Sequence, residues 1–327
     1  MKTKITGIAL GAMLYAICFL AEAQPPKKVP RIGFLTAASP SSVAARIEAF
    51  RQGLREFGYV EGNNIVIEYR YAAGKLERQS ALAAKLVHLK VDIIVTGGPI
   101  ATGAAREATA TIPIVMAQDF DPVSTGLVAS LARPSGNITG LATLYPEISG
   151  KQLELLKEIV PKFSRVAVLG NSTIPGNAQV LRETELVARA FEVQLQYLDV
   201  LDPKDIENVF RAASKARADA VLVLANPVLL SHRTQIADLA VTSRLPAIYQ
   251  VREFVEDGGL MTYGVSVTDL WRRAAIYVVK ILKGRKTADR PVEQPIKFEF
   301  IINLKAAQQI GLTIPPNVLA RADKVIK

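Results

Sequence analysis

One pattern constrains this chain more than any other: a series of strand and helix signals occurs twice, in the same order. In the first half, apolar runs at Arg31–Thr36, Ile65–Tyr71, Val91–Thr96 and Ile112–Ala117 alternate with amphipathic stretches. Val43, Ile47, Phe50, Leu54 and Phe57 recur at spacings of four and three, one face of a helix that Gly58 and Gly62 should end. Leu82, Leu86 and Leu89 mark a second helix, and Gly97-Gly98-Pro99 opens a third. The order returns at Arg165–Gly170, Val193–Val200, Asp219–Ala225 and Pro246–Gln250. Ala167 follows Gly33 by 134 positions, Val193 follows Ile65 by 128, Ala218 follows Val91 by 127, and Pro246 follows Pro113 by 133. Strands this apolar, separated by helices, imply parallel sheets covered on both faces. The expected fold is α/β, with two similar lobes.

Gly and Pro cluster between Asn137 and Gly150 and mark the lobe boundary. The expected organisation is an N-terminal lobe over 31–140, a hinge crossing over 141–150 and a C-terminal lobe over 151–265. A helix over 266–286, with Asp269 as its N-cap, returns to the first lobe. The tail, 287–327, crosses back to the second lobe, with a strand at Lys297–Ile302. Several crossings between two lobes make a hinge.

Residues 1–23 read as a signal peptide: Lys2 and Lys4 precede an apolar run from Ile5 to Leu20, and Ala21-Glu22-Ala23 fits a small-x-small cleavage site. A membrane anchor is a rival reading, for which the run is short. Lipidation at Cys18 is another, which Tyr15-Ala16-Ile17 fits poorly. Cleavage after Ala23 leaves 304 of 327 residues, removes the single Cys and changes the net charge from +10 to +9. An exported chain without Cys folds in an oxidising compartment without needing an oxidant. Residues 24–30, with Pro25, Pro26 and Pro30, form an extended leader.

Catalytic signatures are missing. No Gly-x-Ser-x-Gly elbow or His-Glu-x-x-His occurs. Gly150-Lys151 is followed by Gln152 and lacks the upstream Gly of a phosphate loop. His88 and His232 have no nucleophile motif beside them and read as structural. The acid pair Asp119 and Asp121 has no other support for hydrolysis. No metal or cofactor is expected. The positive charge is dispersed, with Arg272, Arg273, Lys280, Lys283, Arg285 and Lys286 on or just after one helix. No nucleic-acid motif accompanies it, so nucleic acid is not an expected partner. These residues read as solvated surface or a docking face.

In open parallel sheets, ligands bind beyond the C-terminal strand ends. That rule selects six loops: Thr36–Ser42, Thr96–Ile100 and Gln118–Asp121 in the first lobe, and Asn171–Gly176, Asn226–Val228 and Tyr249–Glu253 in the second. Facing lobes would line one cleft with them, and helix N-termini would turn free N–H groups into it, which suits a carboxylate. Candidate ligand contacts are Thr36, Ser39, Thr96, Gly97, Gly98, Pro99, Gln118, Asp119, Asn171, Asn226, Tyr249 and Tyr263. Asp121-Pro122 and Asn226-Pro227 also fit a helix N-cap followed by Pro. Tyr249 and Tyr263 end strands and fit core or cleft wall equally.

Longer matches carry a family resemblance. They include Arg31-Ile32-Gly33-Phe34-Leu35, the run Gly53–Gly62, Asp121-Pro122-Val123, the run Leu131–Gly140, Glu253-Phe254-Val255-Glu256 and Gly311-Leu312-Thr313-Ile314-Pro315-Pro316. In these the chain resembles the tryptophan/tyrosine-type substrate-binding proteins of ABC transporters, along nearly the whole length after residue 30. Ser135 departs from the usual Gly, and Phe120 stands in a stretch where Gly or Ser is common and would add an aromatic wall. The resemblance implies a type I periplasmic-binding-protein fold with Rossmann-like lobes. It also implies a monomer that closes on a small molecule, an amino acid with aromatic ones among the candidates, and serves the permease and ATPase subunits of an importer. By the same resemblance, Thr96–Pro99 and Gln118–Asp119 would hold the carboxylate and amine, and the loops at Asn171, Asn226 and Tyr249 would close from the other lobe. A ligand-sensing receptor partner, or an enzyme using the same cleft, is the competing expectation.

Overall fold

The computed structural model describes residues 28–327. Residues 1–23, read above as a signal peptide, and residues 24–27 of the expected leader lie outside the described residues.

The first half builds β1 (Arg31–Thr36), α1 (Ala44–Arg55), β2 (Val66–Tyr71), α2 (Gln79–His88), β3 (Ile93–Gly97), α3 (Pro99–Ala108), β4 (Ile114–Gln118) and β5 (Ile138–Gly140). These five strands pair in the order β2-β1-β3-β4-β5, all parallel. The second half builds α4 (Tyr145–Ile159), β6 (Arg165–Gly170), α5 (Asn177–Ala190), β7 (Gln194–Asp199), α6 (Asp205–Lys215) and β8 (Ala220–Val223). It continues with α7 (Pro227–Ser231), α8 (Arg233–Thr242), β9 (Ala247–Tyr249), α9 (Glu253–Glu256) and β10 (Met261–Val265). After α10 (Val267–Leu282) come β11 (Phe298–Asn303), α11 (Leu304–Gln309), α12 (Pro316–Leu319) and β12 (Lys324–Ile326). The second sheet runs β7-β6-β8-β9-β10-β11-β12. Its first five strands repeat the order of the first sheet, and β11 joins antiparallel to β10. The expected two α/β lobes are present. Each sheet reverses strand order beside its first strand, the point where open sheets leave a crevice.

The chain passes between the sheets three times. Residues 141–144 leave β5 for α4, Ser266 links β10 to α10, and residues 294–297 lead into β11. Backbone bonds tie the crossings together: Ala142 N–H donates to the Glu293 carbonyl and Ser266 N–H to the Lys297 carbonyl. Thr143 N–H donates to the Asp119 carbonyl at 2.6 Å.

Local differences from the sequence reading have physical causes. Helix α4 starts at Tyr145, so Gly150 is helical rather than part of a loop. Pro146 is tolerated because it lies in the first turn. A Cβ on Gly150 would stand 2.8 Å from Val187, so its bare backbone lets α4 approach α5. Phe57 is 43% exposed, because α1 ends at Arg55 and Gly58, at a φ of +80°, turns the chain away. Asp269 lies within the first turn of α10, and Ser266 holds the N-cap position. No helix follows Asp121; its carboxylate accepts from Ser124 N–H and stabilises a turn.

Helix α10 packs along α1 and against β4. At the helix crossing, a Cβ on Gly53 would lie 2.3 Å from the Arg272 carbonyl oxygen. Gly53→Ala should therefore destabilise the protein by about 1–3 kcal/mol through overpacking, despite the better helix propensity of Ala. Gly103 lies inside α3, where an added methyl group would meet open space, and it should show the opposite sign: Gly103→Ala stabilises by roughly 0.5–1 kcal/mol. Urea unfolding of both variants measures this, and equal signs would contradict the packing argument.

Candidate ligand-binding cleft

A cavity with about 580 Å³ of empty space, counted out to its mouth, lies between the two lobes. Every one of the six strand-end loops reaches its wall. The first lobe supplies Thr36, Ala37 and Ala38 after β1, Gly97 to Ala101 after β3, and Gln118 and Phe120 after β4. The second supplies Ile174 after β6, Ala225, Asn226, Pro227 and Leu230 after β8, and Val251 and Phe254 after β9. Val43, Arg46 and Tyr145 complete the lining. The wall is mostly apolar, with polar groups at its edges.

The twelve candidate contacts divide evenly. Thr36, Gly97, Gly98, Pro99, Gln118 and Asn226 stand on the wall. The other six do not line it. Ser39 exchanges hydrogen bonds with Ser42 in the turn before α1. Thr96 is buried, with its hydroxyl 2.9 Å from that of Thr102. Asn171 donates to the Val200 carbonyl and accepts from Thr173 N–H. It lines a neighbouring crevice between the lobes, with Lys75, Asp202 and His232. Tyr249 is fully buried and stacked on Phe254 at 4.7 Å. Tyr263 stacks on Phe298, and its carbonyl accepts from Gln152. Asp119 lies behind the wall, and its carboxylate accepts from Phe120 N–H.

Asn226 shows how a strand-end residue serves both the fold and the cavity. Its side-chain oxygen accepts from Val228 N–H at 2.7 Å and Leu229 N–H at 3.3 Å, capping α7, with Pro227 in the first turn. Its amide nitrogen is buried on the cavity side of this cap without a partner.

Arg46 is absent from the sequence-based candidates, and it is the one charged residue on the wall. It comes from α1 in the first lobe, and its Nε donates to Glu253 Oε1 of α9 in the second lobe at 2.6 Å. The two side chains are only 5% and 12% exposed. Burial alone would raise the Glu253 carboxyl, but the Arg46 charge and hydrogen bond hold it below the usual carboxylate range. Burial alone would lower the Arg46 guanidinium, and Glu253 lifts it above its ordinary value. Arg46 Nη1 also lies 3.5 Å from Gln118 Oε1, which accepts from Trp271 Nε1 at 2.9 Å. A polar chain thus runs from the second lobe through the cavity wall to α10. A sequence signal for Arg46 exists: it stands three residues after Val43 and four before Phe50, on the inward stripe of α1.

Phe120 forms a second contact between the lobes. Its ring meets Tyr145 edge-on at 4.9 Å, and a Cβ on Gly176 would lie 3.0 Å from it.

A family model described as ABC transporter substrate binding protein matches residues 31–326. The chain belongs to the ABC transporter substrate-binding protein family. Among its relatives is a tyrosine-binding protein of Clostridioides difficile, 26% identical over 277 residues, 85% of this chain and 79% of that one. A solved conserved domain protein of Vibrio cholerae is similar at a TM-score of 0.86 and 27% identity, over 91% of this chain and 100% of that one. An ABC domain from Streptococcus pneumoniae, solved in complex with L-Trp, is similar at a TM-score of 0.85 and 27% identity, over 91% of this chain and 99% of that one. The two-lobe arrangement of this substrate-binding protein is that of the type I periplasmic binding proteins.

Asp119 sits where the first-lobe loop meets the hinge, and its backbone carbonyl accepts both the N–H and the hydroxyl of Thr143. Burial pushes its carboxyl up to about 7, with the Thr102 hydroxyl and Phe120 N–H offsetting part of the rise. The folded protein then keeps a proton that the unfolded chain has already released. The stabilisation is complete below the unfolded value, near 3.8, and is lost as pH rises through about 7. Asp119→Asn should remove this loss, so that its advantage over the parent chain grows between those values, at up to about 1.4 kcal/mol per pH unit, and then levels off. Urea unfolding across this range measures it; parallel stability curves would contradict the assignment.

Proposed function

We propose that this chain is the periplasmic solute-binding component of an ABC importer, and that it captures an aromatic amino acid between its lobes by hinge closure. The observation that carries this reading is the cavity itself. It lies between the lobes, is walled by apolar and aromatic side chains, and carries polar groups from strand ends on both sides. The tyrosine-binding relative and the L-Trp complex support the choice of ligand class. The hinge of this reading lies at 141–144, Ser266 and 294–297, with the lobes at 31–140 and 145–265 and α10 riding on the first lobe. Permease and ATPase subunits are the partners that family membership supports.

A binding role also fits the chemistry of the wall. Among the described residues lining it, no His, Lys, Cys or carboxylate stands beside the hydroxyls of Thr36 and Tyr145. General acid–base or nucleophilic catalysis needs such a pair.

Magnitudes are adequate for capture. Burying an aromatic side chain of about 150–250 Å² at ~25 cal/mol/Å² contributes roughly 4–6 kcal/mol. Charge-assisted hydrogen bonds add about 1.5–3 kcal/mol each, and ordering costs offset much of the sum. A micromolar constant needs about 8 kcal/mol.

Titration calorimetry of the chain from Gln24 onward should give saturable binding of L-tryptophan or L-tyrosine at about micromolar Kd or tighter, with the compound recovered unchanged. Phe120→Ala should weaken that binding by about tenfold or more, and, because the buried ring packs on Tyr145 and Gly176, should also lower the unfolding temperature. No heat with any aromatic amino acid would defeat the ligand assignment, and turnover would defeat the binding role.

A further inference from the structure

Donors and acceptors on the cavity wall are unequally used. The side-chain amide oxygens are engaged. Gln118 Oε1 receives Trp271 Nε1 and Arg46 Nη1. Asn226 Oδ1 receives the Val228 and Leu229 N–H groups. Thr36 Oγ1 receives Ala38 N–H. The donors are free. Arg46 Nη2, Asn226 Nδ2 and the Tyr145 hydroxyl are all buried without a partner, and all three residues line the cavity. Burial holds the Tyr145 phenol protonated. Helix α3 adds its positive end: Ile100 and Ala101, in its first turn, also line the cavity, and their N–H groups have no partner within the helix.

Among the described residues on the wall, none is Asp or Glu. One carboxylate, Glu253, is paired with the wall residue Arg46. One of its oxygens is committed to Arg46 Nε, and the other is buried beside the same guanidinium without a hydrogen bond. A second carboxylate, Asp119, stands between the wall residues Gln118 and Phe120 without lining the cavity itself; one of its oxygens accepts from Phe120 N–H and the other is buried without a hydrogen bond.

We propose that this wall reads its solute as a carboxylate on an apolar body and does not require an amino group. Aromatic propanoates, which are the amino acids without their 2-amino group, are then ligands of the same site. This rests on the preceding reading of the cleft as a solute site. A carboxylate brings only acceptors, about four lone-pair positions, to a wall of unused donors. An ammonium brings three donors to a wall whose amide oxygens are engaged and which carries no carboxylate.

The test is calorimetry on two matched series: L-tryptophan, 3-(indol-3-yl)propanoate and tryptamine, then L-tyrosine, 3-(4-hydroxyphenyl)propanoate and tyramine. In the series whose amino acid binds, the propanoate should bind within about tenfold of the amino acid, and the amine should be weaker by more than that. A propanoate weaker by more than tenfold overturns the proposal while leaving the solute-binding role standing, and would make Glu253 or Asp119 the acceptor of an ammonium. An amine within tenfold overturns it from the other side. Silence of both amino acids and both propanoates overturns the aromatic-ligand reading and this inference together. Asn226→Asp keeps a capping oxygen but replaces the free amide nitrogen with an acceptor, and Tyr145→Phe removes only the free hydroxyl. Each should weaken the propanoate by about tenfold or more. Unchanged affinity in Tyr145→Phe, or in a folded Asn226→Asp, would remove these donors from the site.

Discussion

The Arg46–Glu253 ion pair joins the two lobes at the one charged point of the cavity wall. Taking two charged side chains out of water is expensive, and the pair holds only because each meets the other at 2.6 Å. Removing either partner would leave a buried charge uncompensated, at a cost of about 3–5 kcal/mol. One member belongs to α1 and the other to α9, so the pair can exist only with the lobes together. In the proposed hinge motion, closing the cleft and pairing these charges are the same event. Arg46 also meets Gln118, which is held by Trp271 of α10, so the contact is transmitted to the helix that returns across the hinge.

The fold places these groups by using one topology twice. The order 2-1-3-4-5 puts a crevice at the C-terminal strand ends of each sheet, and facing sheets join their crevices into one cavity. The short loops bring little side-chain bulk, so backbone N–H groups and small residues such as Ala37, Gly98 and Ala225 reach the wall. Three crossings, bonded to one another through Glu293 and Lys297, join the lobes. Phe120 pressing on Gly176 and Tyr145 adds a contact that the open cleft would lose.

Much of this is legible in residue patterns, because parallel strands buried on both faces have to be apolar throughout. The runs at Arg31–Thr36 and Arg165–Gly170 match β1 and β6 at both ends. The capping role of Asn226 is equally visible, since Asn-Pro before an apolar turn has few other uses. The failures are of other kinds. Strands β5 and β12 are three residues long and carry no usable period. Pro146 and Gly150 suggest a loop, yet the first suits a helix start and the second a close helix contact. Thr96, Ser39 and Asn171 are polar residues at strand ends, and their hydrogen-bonding capacity is spent on neighbouring protein groups. Arg46 depends on a residue 207 positions away. Only the tertiary structure could pair them.

The central claim is that one cavity is formed by closure of two lobes on a solute. The most direct measurement is the distance across the cleft mouth, by double electron–electron resonance between spin labels at Glu77→Cys and Asp202→Cys. These positions stand on opposite lobes of one crevice beside the cavity, in a chain that has no other Cys once Cys18 is removed. Saturating aromatic acid should collapse a longer, broader distribution into one short distance. A distribution unchanged at ligand concentrations where calorimetry shows full occupancy would contradict closure.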